Sequence, residues 1–269
     1  MPSEKASAIV LRVADFSETS CVATLFTREF GKVRGIAKGA RRLKGPFDSA
    51  LDLLSVCRVV FLRKQSDVLD ILTEARLERS FRPRAKDLSC LNAGYYVGEL
   101  LREMTDDYDA HPELYDAAEQ TLADLSAGTT PVFELTLRFE LVLLQLLGHL
   151  PSLSTCAECG TPIPLQGKIH FAHLCGGVIC TRCRAGKPQV ATVTPAVIAV
   201  LQAWSPRPST HLPSRPSDTI GAPSHRDVSE LLGSRATCGA LRGLMAHYIA
   251  HLVGHPLRMH RYLTTDPQR

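Results

Sequence analysis

No run of twenty apolar residues occurs in this 269-residue sequence, so nothing in it reads as a membrane-spanning helix. The longest stretch free of charge, from Pro188 to Pro206, is interrupted by Pro195 and by several Thr and Gln residues. The beginning, MPSEKASAIVLRV, puts Glu4 and Lys5 ahead of any apolar segment and lacks the longer apolar region and small-residue cleavage site of a secretory signal. A cytoplasmic protein is therefore expected, in which disulfides are not the default use of the nine cysteines. Catalytic signatures are missing too. There is no G-x-x-x-x-G-K-S/T or G-x-G-x-x-G phosphate loop, no G-x-S-x-G elbow, no H-E-x-x-H, and no acid pair in an apolar setting. No catalytic residue is assigned, and no enzyme is indicated.

What is present is ordinary material for a packed interior, 45% hydrophobic and 22% charged, with length for one large or two modest domains. The net charge of +4 conceals an uneven distribution. Residues 1–80 hold 14 basic and 10 acidic groups, whereas residues 81–150 hold 5 and 12. A basic first module followed by an acidic one suggests different partners for each.

The first module, residues 1–80, reads as five short strands: Ala8 to Val13, Cys21 to Phe26, Lys32 to Gly39, Leu53 to Leu62 and Val68 to Ala75. Strands so short and so closely spaced fit a small closed or nearly closed barrel, since closure removes exposed edges, and the count and size favour an OB-fold over an SH3-like barrel. The third strand opens GKVRGIAKGARRLKGPF. Alternation puts Lys32, Arg34, Ile36 and Lys38 on one face and Val33, Gly35, Ala37 and Gly39 on the other. Arg41, Arg42 and Lys44 follow in a loop. Between Arg28 and Lys44 there are seven basic groups and one acid, Glu29. A solvated charged hairpin is the bland reading. One-sided clustering and glycines that admit a close backbone favour a groove tracking nucleic-acid phosphates through Lys32, Arg34, Lys38, Arg41, Arg42 and Lys44. Only Phe26, Phe30 and Phe47 lie nearby for stacking, so phosphate contact with weak sequence preference is expected. Six such contacts to a single strand give a salt slope of roughly −4.

From residue 81 to 269 the period becomes helical. Expected helices run from Arg84 onward, with apolar positions from Leu88 to Leu101, to near Asp106–Asp109, from His111-Pro112 to Gly128, and from Thr130-Pro131 to Gly148. The third is apolar nearly all round and belongs in the centre of a core, with Glu134 and Arg138 as an i, i+4 surface pair. Cys156-Ala157-Glu158-Cys159 and Cys180-Thr181-Arg182-Cys183 are two C-x-x-C turns 20 residues apart. Two such turns complete a tetrahedral four-sulfur site with no open position, so one structural Zn²⁺ is expected in an insertion at about 152–190. Cys175 belongs to neither turn, and Cys21, Cys57, Cys90 and Cys238 read as core residues. Thr194 to Trp204 is a further helix. A Pro/Ser-rich loop at about 205–225 precedes helical spacing at Asp227 to Leu232 and Ala240 to Leu252. His247, His251 and His255 stand four apart, yet Pro256 disfavours a helix at His255, so no metal is expected there.

The stretch VLRVADFSETSCVATLFTREFGKVRGIAKGARR, from Val10 to Arg42, resembles the N-terminal signature of the bacterial recombination-mediator family RecO, most of all in LFT-x-x-x-G followed by AKGARR. The closing HYIAHLVGHPLRMHRYL, from His247 to Leu263, is similar to that family's C-terminal helix and tail. The resemblance implies an α+β protein, an N-terminal OB-fold β-barrel followed by an α-helical domain with an embedded four-cysteine zinc knuckle. It implies binding to single- and double-stranded DNA, annealing of complementary strands, and help in loading RecA onto strands coated with single-stranded-DNA-binding protein (SSB). The partners implied are RecR and sometimes RecF. A zinc-containing RNA-binding OB protein, or an assembly scaffold without annealing activity, are the alternatives.

Overall fold

The computed structural model describes residues 3–42, 46–47, 50–64, 69–83, 88–205 and 234–263. Two compact units form, residues 1–132 and 133–269. Helices α1 (Leu88–Met104) and α2 (Pro112–Ala127) fall in the first of them, together with the barrel.

The first unit begins with β1 (Ser3–Asp15), β2 (Cys21–Thr27), β3 (Gly31–Ala37), β4 (Val56–Leu62) and β5 (Asp70–Arg79). They close into a barrel in the order β1-β2-β3-β5-β4, the five-stranded OB arrangement. β1 is long because it serves two neighbours. Ser3 to Ile9 pair with β4 and Ala8 to Asp15 pair with β2, with the register shifting between Val10 and Arg12. Closure comes from a short parallel ladder between Gly35–Ala37 and Asp70–Leu72. At Gly35 a Cβ would overlap the Leu72 side chain, so the small inward residues of β3 are what let β5 approach. Ala8, Val10, Leu25, Val33, Val59, Phe61 and Leu72 fill the interior, and Phe47 joins them.

β4 starts at Val56, not at Leu53. Leu54 adopts φ 61° in a turn and is only 2% exposed, because it packs where Gly94 and Gly98 open the surface of α1. Its hydrophobicity belongs to a helix contact and not to a strand. α1 (Leu88–Met104) and α2 (Pro112–Ala127) lie against the barrel, with Tyr115 of α2 stacked on Phe26. Pro112 starts α2, and Gly128 ends it in the left-handed conformation.

The second unit is built on α3 (Val132–Leu146), whose Phe133, Leu137, Leu141 and Leu144 are buried as an all-round apolar helix requires. Glu134 and Arg138 pair at 2.6 Å, and the Arg138 guanidinium lies 5.0 Å from the Trp204 ring centroid. The sheet β7-β6-β8 consists of β6 (Ile169–Ala172), β7 (Gly177–Ile179) and β8 (Val190–Val193). The short α4 (Thr181–Arg184), α5 (Pro195–Trp204) and α6 (Arg235–Val253) complete the unit with a 3₁₀ turn at Met259–Tyr262. Most of the Pro/Ser-rich loop and the helical spacing at Asp227 to Leu232 lie outside the described residues. Among the described residues no helix is long and apolar enough to cross a membrane.

Candidate nucleic-acid interface and metal centre

The burial of β3 alternates strictly: Gly31, Val33, Gly35 and Ala37 face in, while Lys32, Arg34 and Ile36 face out. The outward residues do not share one fate. The Lys32 ammonium donates to the carbonyl oxygens of Arg102 (2.9 Å) and Thr105, at the C-terminal end of α1, where helix carbonyls lack partners of their own. It is a fastening between barrel and helix more than a free cation. Arg34 remains half exposed but pairs with Asp107 at 2.6 Å. Across the sheet, Arg12 of β1 and Arg34 flank Thr24 of β2 in register. The shallow cleft before them, about 540 Å³, sets Arg12, Lys32, Arg34 and Arg102 against Glu103, Asp106 and Asp107.

Why the segment after α1 lies so close is written in Gly31. Its φ is +68°, and a Cβ there would overlap the Asp109 carbonyl, so only glycine lets residues 105–109 settle on the start of β3. Tyr108 clinches the contact: its N–H donates to the Lys32 carbonyl at 2.9 Å, its hydroxyl donates to buried Asp70, and Arg63 covers its ring. Burial, and then the Asp70 carboxylate, push the Tyr108 phenol well above its ordinary value. The backbone of the acidic run Asp106, Asp107 and Asp109 thus lies against the barrel while its carboxylates stay exposed.

Beyond Ala37 the chain turns through Lys38, Gly39, Ala40, Arg41 and Arg42, with the Arg42 N–H donating to the Gly39 carbonyl at 3.1 Å. Lys38, Arg41 and Arg42 are all exposed. Arg41 holds Asp15 at 3.1 Å, while Lys38 and Arg42 make no ion pair among the described residues. Lys44 lies outside the described residues. At the other end of the run, Arg28 forks onto Asp116 of α2 at 2.7 and 2.9 Å, which raises Arg28 and lowers Asp116. The three nearby phenylalanines named from sequence are no use as an outer face: Phe26 and Phe47 are buried, and Phe30 meets Phe61 edge-on. Sequence reasoning missed Phe16, 63% exposed between β1 and β2.

In the second unit the Sγ atoms of Cys156, Cys159, Cys180 and Cys183 lie within 4.8 Å of one another, the one such metal-ready group among the described residues. Cys159 and Cys180 are 3.8 Å apart, matching the sulfur separation of a tetrahedral site with Zn–S of about 2.3 Å. Backbone N–H groups aim at the sulfurs: Cys180 N–H at Cys156 Sγ and Cys183 N–H at Cys180 Sγ, both 3.4 Å. Hydrogen bonds from Thr161 bring the Cys159 thiol down to about 6. Cys183, facing Cys180 and then Cys159, is pushed up to about 12. Four thiols in so small a space do not all ionise by themselves, and a divalent cation is what lets them do so. The donor set thus fits a closed four-sulfur metal site. Cys175 stands apart, its thiol donating to Glu158 at 3.3 Å. His247 and His251 lie on α6, whereas His255 falls beyond the left-handed Gly254 cap.

Known proteins resemble this chain in sequence. The family model described as "Recombination protein O N terminal" matches residues 1–81, and that described as "Recombination protein O C terminal" matches residues 85–215. The chain is 38% identical over 266 residues to the DNA repair protein RecO of Rhodopirellula baltica, covering 95% of this chain and 97% of that one. It is 31% identical over 265 residues to the RecO of Anaeromyxobacter dehalogenans, with 98% and 96% covered. For that of Myxococcus xanthus the identity is 30% over 251 residues, with 93% of each chain covered.

Proposed function

The chain belongs to the RecO family of DNA repair proteins, and on that premise we propose that it is a recombination mediator that binds single- and double-stranded DNA and anneals complementary strands. The observation that carries this reading is the exposed turn Lys38–Arg42 at the rim of an OB barrel, following the strand that carries Arg34. Cations on that rim neutralise phosphates of two strands at once and reduce the repulsion that slows pairing. Arg34, Lys38, Arg41 and Arg42, with Lys44 following, are the phosphate contacts. Lys32 supports them by holding β3 to α1. With RecR, and in some settings RecF, the protein assists RecA in displacing SSB. One Zn²⁺ on Cys156, Cys159, Cys180 and Cys183 is structural: it joins two turns whose own core is little more than Cys156, Ala172 and Ile179.

Annealing of complementary strands, bare and coated with the cognate SSB, tests the proposal. Wild type is compared with the folded Lys38→Ala/Arg41→Ala/Arg42→Ala variant. Acceleration by wild type that the variant loses supports mediator function on this rim. Annealing that survives the triple change moves the DNA surface elsewhere, and absence of both annealing and DNA binding in wild type overturns the reading.

A further inference from the structure

Phe16 is a large apolar ring turned to water on an otherwise polar loop, Phe16-Ser17-Glu18-Thr19-Ser20, and single exposed rings are common enough to mean little alone. Its backbone, however, is held from two sides. The N–H groups of Phe16 and Ser17 donate to the Ser20 carbonyl at 3.0 and 3.1 Å. From the basic turn, Arg41 N–H donates to the Thr19 carbonyl at 3.2 Å, and the Arg41 guanidinium meets Asp15 at 3.1 Å. The register agrees: Asp15 pairs with Cys21, and Cys21 with Ala37, so Phe16 and Lys38 leave the barrel at the same end. An exposed ring on an anchored backbone therefore stands at the edge of the cations.

We propose that Phe16 is a base-stacking residue that adds affinity for unpaired strands. The inference rests on the nucleic-acid reading above. A strand whose phosphates follow Lys38, Arg41 and Arg42 carries its bases within reach of an apolar face, and every base has one to offer, so stacking adds affinity without choosing sequence. A duplex keeps its base faces against one another and has none to give.

The test uses the full chain and three probes: a thymidine oligonucleotide, an abasic strand of the same length, and a duplex of that length. Phe16→Ala is expected to weaken binding to the thymidine strand by about 5- to 150-fold. Binding to the abasic strand and the duplex stays close to wild type, the salt dependence is unaltered, and Phe16→Trp restores affinity. Equal losses on thymidine and abasic strands, or no loss on the thymidine strand, overturn the inference. Wild type that binds none of the three probes removes the nucleic-acid reading itself, and the role of Phe16 with it.

Discussion

Glu140 of α3 and Arg242 of α6 meet at 2.8 Å in the interior of the second unit, 0% and 4% exposed. Arg242 also donates to the Thr136 hydroxyl at 2.7 Å and lies 5.0 Å from the Phe133 ring centroid. Removing one member of such a pair leaves the other charged and buried, so Arg242→Ala should destabilise the unit by about 3–5 kcal/mol. The joint change Glu140→Leu/Arg242→Met should recover most of that loss. Urea unfolding followed by far-UV circular dichroism measures both, and a single variant as stable as wild type would contradict the account. No pattern in the sequence announces this pair. Its members are 102 positions apart, and within α3 Glu140 looks like a blemish on an apolar helix. Glu134 and Arg138, one helical turn apart, were legible for the opposite reason.

Elements follow the same division between local and distant causes. The cysteine knuckle could be read directly because each ligand pair is a self-contained turn, and only the meeting of two turns needed three dimensions. The basic alternation of β3 was equally local. For Lys32, spacing shows which way the side chain points but not that the end of α1 will be waiting there. Leu54, buried against α1 beside an exposed Leu53, gave a false start to β4 because burial under a helix and burial in a sheet look alike in four residues. Around the knuckle, metal is expected to decide whether the element persists. One equivalent of Zn²⁺ should bind per chain, and a chelator should raise amide hydrogen exchange across residues 152–193. Exchange in the barrel core, around Val33 and Val59, should stay slow. A knuckle equally protected with and without metal would show that its small apolar cluster suffices.

Charge has its consequences at the scale of the whole molecule. The basic block and the acidic block look in the sequence like modules with separate partners, but in the first unit they are partly each other's. Arg28 pairs with Asp116, Arg34 with Asp107, and Arg79 with Glu119. Among the described residues of that run, Lys38 and Arg42 stay outward without an ion pair, and Arg41 stays outward while holding Asp15. With Lys32 engaged internally, the single-strand salt slope should lie nearer about −3.5 than −4. The triple alanine variant should reduce its magnitude by about 2, at roughly 0.7 for each phosphate left without its cation. Binding titrations across a salt series read this directly, and a slope indifferent to the triple change would separate DNA binding from the barrel rim.

The divided loyalty of β1 also sets a timetable. As the chain leaves the ribosome, β1, β2 and β3 form a meander of neighbouring hairpins and can pair early. The first half of β1 must wait for β4, and closure must wait for β5. Until then, Ser3 to Ser7 is an open edge, available to any other unpaired strand. Prompt arrival of β4 and β5 is thus what keeps two nascent copies of this protein from completing each other's barrels.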